Sequence, residues 1–118
     1  MKLYNKLYDK ELNSYYEDAF SILCNLGMLP SSLGLKYIII IVLTEKKNPS
    51  NIFLISDYYP AIAKRFKKSP ISIKRAIENS VNTLMDFKSN FQSTFNINFN
   101  YSLITPKNII ELLISKLD

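Results

Sequence analysis

Two neighbouring segments of the chain, 55–66 and 73–84, carry apolar or small side chains at spacings of three and four residues. This spacing is typical of amphipathic helices, so the sequence predicts a helix pair within residues 51–86, joined by a short turn. Ser69 is a favoured N-cap and Pro70 suits a first helical turn, which predicts that the second helix begins at Pro70. The two apolar stripes are Ile55, Tyr58, Tyr59, Ile62, Ala63 and Phe66, then Ile73, Ala76, Ile77, Ser80, Val81 and Leu84.

Further helices are predicted on both sides of this pair. Residues 10–26 form an amphipathic pattern that ends at Gly27, and Thr105 and Pro106 are typical of the start of a last helix, 105–117. The apolar run 37–43 is ambiguous, because its β-branched residues favour a buried strand. We predict a helix there, since the charged continuation 44–47 makes the segment longer than a typical strand. Pro60 is expected to kink the first helix of the pair.

Residues 95–103 show a different pattern, in which apolar and polar side chains alternate. A period of two predicts a half-buried strand. The leading prediction for the fold is an all-α helix-turn-helix domain of about six helices. The alternative is a winged helix with a small β-wing around Phe95 to Leu103. In both cases the 118 residues are expected to form one domain, 1–118, with 1–9 as a candidate flexible segment.

The charge of the chain is concentrated on the predicted helix pair. The formal net charge is +5, and no acidic residue occurs from Tyr58 to Ile77, although six of the 15 basic residues lie there. A polyanion, double-stranded DNA, is the partner that this pattern favours over a merely solvated basic face. The candidate base-facing residues are Ser72, Lys74, Arg75 and Asn79, and the candidate phosphate contacts are Lys64, Arg65, Lys67, Lys68 and Ser69.

The composition argues against several other classes of protein. The chain has no His and a single Cys, Cys24, which excludes His-based catalysis, Cys/His zinc sites and an internal disulfide. We therefore expect no catalytic residue, no metal and no cofactor, and we expect that the protein is not an enzyme. Cys24 lies on an apolar helix face, where a buried structural role is expected. The longest apolar run, 37–43, is far below the ~20 residues that span a bilayer, so we expect a soluble, cytoplasmic protein without membrane contact.

Several short motifs resemble one known family. They are YP-x-IAK-x-F-x-x-S from Tyr59, RAI at 75–77, LG-x-x-P at 26–30 and TPKNIIELLISKL at 105–117. In this order they resemble the C-terminal DNA-binding effector domain of the stage-zero sporulation response regulator of spore-forming Firmicutes, over roughly Leu26 to Leu117. The resemblance implies a standalone effector domain or a fragment, because 118 residues leave no room for a receiver domain, and control by phosphorylation does not carry over. It also implies a short helix and a loop where the alternation predicts a strand.

The resemblance implies a transcription regulator that binds short promoter sequences as tandem copies. The polar reader positions differ, however: the family has Arg, Glu and Arg where this chain has Ser72, Lys74 and Glu78, and only Arg75 matches. An altered DNA site is therefore expected. The segment after the recognition helix, which contacts the polymerase sigma subunit in the family, is unlike it here, so contact with RNA polymerase is in doubt. Glu78 is expected near phosphates, neutralised by Lys74 or Arg75, or in an ordinary surface ion pair.

These observations leave three hypotheses for function. The leading one is a sequence-specific DNA-binding transcriptional regulator of the sporulation effector-domain type with altered site preference, bound as a homodimer or as tandem copies. The second is a plasmid-maintenance or architectural DNA-binding protein, which a strand at 95–103 would favour. The third is a protein-interaction module, or a decoy that pairs with a full-length homologue.

Overall fold

A computed structural model describes residues 1–7 and 9–118, and all regular structure in that part of the chain is helical. The six α-helices are α1 (Asn13–Asn25), α2 (Leu33–Lys47), α3 (Tyr58–Phe66), α4 (Pro70–Asn82), α5 (Lys88–Phe95) and α6 (Pro106–Leu117). Four single-turn 3-10 helices, Lys10–Leu12, Ile55–Asp57, Thr83–Asp86 and Tyr101–Leu103, lie between or before them. The predicted all-α class and the number of helices are confirmed.

Helix α2 is the centre of the fold. It packs against α1, α4 and α6, and every residue from Tyr37 to Glu45 is buried. A helix that is apolar on all sides is stable only when its neighbours cover it, which explains why the β-branched run is a helix here. Ser32 caps its first turn by accepting a hydrogen bond from the Leu35 backbone N–H. The prediction of a helix at 37–43 is confirmed.

The segment 95–103 contains no strand, so the alternative fold, a winged helix with a β-wing there, is wrong. Phe95 ends α5, and Asn96 has a left-handed backbone conformation with φ of 55°, which interrupts any extended run. The Asn100 side chain then accepts a hydrogen bond from the Ser102 N–H and caps a 3-10 turn. Alternation alone misled the prediction because the apolar side chains of this loop pack locally: the Phe99 ring lies 5.7 Å from the Phe91 ring, edge to face.

The termini of the helices follow the sequence signals with one exception. Helix α4 begins at Pro70 after the Ser69 cap, and α6 begins at Pro106 after the Thr105 cap, as predicted. Gly27, with φ of 113°, ends α1. Pro60 does not kink α3, because this helix begins only at Tyr58 and Pro60 falls in its first turn, where the missing N–H is no loss.

The segment before α1 packs on the domain through backbone and side-chain contacts. Leu3 and Tyr4 are buried, and the Tyr4 N–H donates to the Thr44 Oγ1 at 2.7 Å. Asp9 forms an ion pair with Lys47 of α2. This segment therefore runs along α2 and towards α3, which places it beside the predicted DNA-binding residues.

Candidate nucleic-acid interface

Helices α3 and α4 are joined by a three-residue turn, 67–69, whose geometry is fixed by backbone hydrogen bonds. Lys67 ends α3 in a left-handed conformation, φ 55° and ψ 48°. The Lys67 N–H and the Lys68 N–H both donate to the Ala63 carbonyl, the latter at 2.9 Å, and this second bond is the 6→1 bond found in Schellman motifs. Ser69 Oγ accepts from the Ser72 N–H at 3.2 Å and starts α4. Both helix ends are thus satisfied, and the angle between the helices is set within the turn.

The buried side of α4 packs closely on the first turn of α2. Gly34 makes this possible, because a Cβ at that position would overlap the Ala76 carbonyl oxygen and the Ser80 side chain. The Ser32 and Ser80 hydroxyls form a hydrogen bond across the same contact. The small side chains of Ala76 and Ser80 leave room for this close approach. Burial of Ile73, Ile77 and Val81 in the core fixes which side of α4 is turned outward.

The four candidate base-facing residues, Ser72, Lys74, Arg75 and Asn79, are all exposed on α4. At 100° per residue, Arg75 lies near the middle of the exposed arc, whereas Lys74 and Ser72 lie at its borders, roughly 160° apart. The Ser72 hydroxyl is also 2.8 Å from the Ser69 hydroxyl. Arg75 is therefore the best-placed reader of the four, while Ser72 belongs in part to the cap of α4.

Exposed Ile71 lies next to Arg75 on this arc and was not among the candidate reader residues. It is the one large apolar side chain on the outer face of α4. An apolar group in the major groove contacts the thymine methyl group. The helical period places Ile71 opposite the buried stripe of α4, so the sequence alone indicated its exposure.

The candidate phosphate contacts lie at the end of α3 and in the turn. Lys64, Lys67, Lys68 and Ser69 are exposed, and none of the three lysines forms an ion pair within residues 1–7 and 9–118. Their charges are thus available to an external anion, while Ser69 is engaged as the cap of α4.

Arg65 differs from the other candidate phosphate contacts. Its guanidinium group donates to the backbone carbonyls of Tyr4, at 2.6 Å, and Leu3, at 3.2 Å. Arg65 therefore holds the N-terminal segment against α3, which the sequence did not predict. The partners are backbone atoms some 60 residues away, and nothing in the sequence identifies them.

Glu78 does not make either of the ion pairs that were expected for it. It is half-buried, and in the part of the chain that the structure describes no salt bridge joins it to Lys74 or Arg75. It lies instead beside Tyr59, whose pKa is raised first by burial and then by the Glu78 charge. The carboxylate is therefore close to Tyr59 of α3, and at 100° per residue Glu78 falls about 40° inside the Lys74 border of the exposed arc.

Two lysines from distant segments lie beside the end of α3. Lys36 of α2 is 4.6 Å from the centre of the Phe66 ring, and Lys6 is 4.1 Å from the centre of the Tyr16 ring. With Arg65 they line a cleft of about 390 Å³. Sequence reasoning missed both lysines, because it considered the helix pair alone.

A different buried polar network supports the start of α3. The buried carboxylate of Glu45 accepts hydrogen bonds from the Ser50 N–H, the Ser50 hydroxyl and the Tyr58 hydroxyl. Burial and the Glu45 contact raise the pKa of Tyr58 far above its usual value. Each acceptor is satisfied inside the fold, which indicates a structural network that connects α2 to α3.

The described residues offer little that resembles a site for other chemistry. No three His, Cys, Asp or Glu side chains among them are grouped so as to hold a metal ion. Cys24 is half-buried, and burial raises the pKa of its thiol. Across residues 1–7 and 9–118, none of the helices has the length and apolar character needed to cross a membrane.

Comparison with family models, curated proteins and solved structures gives no match for this chain. The resemblance to the sporulation effector domain therefore rests on the motifs of the chain itself.

Proposed function

We propose that this protein is a sequence-specific DNA-binding transcriptional regulator in which α3 and α4 act as a helix-turn-helix and α4 enters the major groove. The observation that carries the proposal is the arrangement of the α3–turn–α4 unit. Its apolar stripes are buried, its turn is fixed by hydrogen bonds, and its outer surface carries basic and polar side chains without an acidic residue from Tyr58 to Ile77. Such a surface suits a polyanion with a groove as wide as a helix.

Within this proposal the exposed residues of α4 have different roles. Arg75, in the middle of the exposed arc, is the main base reader, and a bidentate contact to guanine is the interaction for which its guanidinium is suited. Lys74 and Asn79 contact the neighbouring base pairs directly or support that contact. Ser72, at the border of the exposed arc, lies against the DNA backbone. Ile71 adds an apolar contact to a thymine methyl. Lys64, Lys67 and Lys68 bind phosphates, and Ser69 positions the start of α4.

The proposed DNA site differs from that of the sporulation family. Ser72 is too short for a bidentate guanine contact, and Lys74 cannot accept a hydrogen bond from cytosine as a carboxylate does. Because the groups that the family uses for reading are replaced, the same docking geometry would select other bases. Binding as a homodimer or as tandem copies belongs to the same proposal, and contact with RNA polymerase does not.

The two other hypotheses are affected differently by the fold. An architectural protein with a minor-groove wing loses its main support, because residues 95–103 contain a helix end, a loop and a 3-10 turn. The hypothesis of a protein-interaction module is tested by the experiment that follows.

The experiment is selection of bound sequences from a random duplex pool at two salt concentrations. Phosphate attraction weakens steeply with salt whereas base readout is retained, so enrichment at the higher salt reports specificity. We expect a short motif, and we expect Arg75→Ala to relax one position of it and cost about 1–3 kcal/mol on the selected site. Lys67→Ala with Lys68→Ala should weaken all sequences about equally.

Each result has a distinct meaning. Binding without enrichment would replace the regulator by a non-specific DNA-binding protein. Absence of binding at moderate salt would refute DNA binding and favour a protein partner. A specificity that is unchanged in Arg75→Ala would remove Arg75 from the reader role, even if a motif is found. The matched control is Lys107→Ala, which removes an exposed basic residue from α6 rather than from the α3–α4 unit.

A further inference from the structure

The cleft between the N-terminal segment and the end of α3 combines positive charge with aromatic walls. Its lining includes Lys6, Lys36, Arg65, Tyr4, Tyr16 and Phe66. These residues come from four separate parts of the chain, the N-terminal segment, α1, α2 and the end of α3, and only Arg65 and Phe66 belong to the α3–α4 unit.

The two lysines of the cleft are held in place by rings rather than neutralised by acids. Lys36 lies over Phe66 and Lys6 lies over Tyr16, at 4.6 and 4.1 Å from the ring centres. A cation–π contact restrains an ammonium group but leaves its net charge in place. Among the described residues, Lys6 forms one ion pair, with Glu17 at 3.9 Å, and both of these side chains are mostly exposed. Such an exposed ion pair contributes little free energy to the fold.

One face of each of these two rings is therefore occupied by an ammonium group. This arrangement does not favour a ligand that stacks on Tyr16 or Phe66. It favours a ligand that presents negative charge to the restrained ammonium groups from outside, as a phosphate does.

The cleft is continuous with the proposed DNA surface. Arg65 lines the cleft and directly follows Lys64 in the chain. Phe66, over whose ring Lys36 lies, directly precedes Lys67 of the turn. A DNA strand that contacts Lys64, Lys67 and Lys68 would meet the cleft next along its backbone. The repeated phosphates of one strand match a row of separated positive charges better than a single free anion does.

From these observations, and resting on the proposed function, we infer that the cleft is a second phosphate-binding site for the DNA backbone. Lys6 and Lys36 make the contacts, and Arg65 acts mainly as a positioning residue that fixes the N-terminal segment through the Leu3 and Tyr4 carbonyls. The contact area on DNA then extends from the helix pair to α2 and to the start of the chain.

The salt dependence of binding tests this inference on the full chain, with a mixed-sequence duplex as the probe. Each lost phosphate contact lowers the slope of log K against log salt by about 0.9. For Lys6→Ala with Lys36→Ala we expect the slope to fall by about 1.8. The loss of affinity between about 50 and 200 mM salt then becomes roughly 12-fold smaller than for the natural sequence.

Two control variants separate charge from structure. Lys6→Arg with Lys36→Arg keeps both charges and should keep the slope. Lys88→Ala removes a lysine that also lies over aromatic rings, those of Phe99 and Tyr101, but outside the cleft, and it should leave the slope unchanged. Thermal melting followed by circular dichroism verifies that each variant is folded.

The positioning role of Arg65 has its own readout. Arg65→Ala should lower the slope when Lys6 is present, because the segment that carries Lys6 is no longer fixed. In the Lys6→Ala background the same change should lower it much less. Equal effects in the two backgrounds would contradict a role through Lys6 and indicate a direct contact of Arg65 with phosphate.

The experiment distinguishes failure of the proposed function from failure of this inference alone. If the natural protein binds no duplex, the proposed function fails and this inference fails with it. If it binds DNA and the slope is the same for the Lys6→Ala, Lys36→Ala variant, the inference alone is refuted. Titration with adenosine monophosphate and with inorganic phosphate forms the second arm: saturable binding of either in the cleft, together with an unchanged slope on DNA, would assign the cleft to a free anion instead.

Discussion

Gly34→Ala is the substitution that most directly tests the packing beneath the proposed recognition helix. Gly34 is in the first turn of α2, with ordinary helical geometry, and it faces the small residues of α4. A Cβ built there would overlap three atoms of Ala76 and Ser80, one of which is a backbone carbonyl oxygen. A side-chain hydroxyl can rotate away, but a carbonyl inside a helix cannot, so α2 and α4 would have to move apart.

Two opposing effects determine the magnitude. Replacing Gly by Ala in a helix stabilises it by up to about 1 kcal/mol through propensity. Overpacking a close helix contact typically costs about 1–3 kcal/mol, and the Ser32–Ser80 hydrogen bond across the same contact, worth about 1 kcal/mol, would be strained as well. We therefore expect Gly34→Ala to lower the free energy of unfolding by about 1–3 kcal/mol.

Urea denaturation followed by circular dichroism measures this change, because the midpoint shift at constant slope reports stability. Gly34→Ala combined with Ser80→Gly removes two of the three overlapping atoms but leaves the Ala76 carbonyl oxygen, so this double variant should remain less stable than the natural protein. A Gly34→Ala protein that is as stable as the natural one, or more stable, would follow helix propensity alone. That result would refute the close approach of α2 and α4.

Other predictions concern the same unit. Ile73→Asp places a charge at a fully buried position and should unfold the domain; a cooperative thermal transition near that of the natural protein would show that this face is not buried. Ser69→Ala should cost about 1 kcal/mol of stability through the lost cap of α4, and Ser69→Asp should retain most of it, as thermal melting would measure. The pKa of Tyr58 is raised in the folded state, chiefly by burial, so its contribution to stability is complete below the unfolded value near pH 10 and is lost as the pH rises above it. Tyr58→Phe should therefore weaken the alkaline loss of stability in urea titrations, while an identical alkaline profile would exclude Tyr58 as its source.

Much of the fold was predictable because its signals are local. Ser69–Pro70 and Thr105–Pro106 mark helix starts through capping groups within the same turn, and the stripes of α1, α4 and α6 are repeats within single helices. The exposed character of Arg75, Lys74 and the turn lysines follows from the same periodicity. All of this is determined by residues a few positions apart.

The errors and omissions have a common physical reason. The alternation in 95–103 is compatible with a strand, but a strand needs a partner, and the tertiary structure supplies ring packing on Phe91 instead. The continuous apolar run of α2 becomes a helix only because its neighbours bury it, chiefly α1, α4 and α6.

In the candidate interface, too, some features follow from the local sequence and others only from the tertiary structure. The sequence by itself determined a basic, amphipathic helix pair with a capped second helix. Only the tertiary structure decided that Arg65 holds the Leu3 and Tyr4 carbonyls, and that Lys6 and Lys36 lie beside the end of α3. The reason is that these contacts join residues tens of positions apart, which no local pattern specifies, and that the burial of α2 brings their segments together.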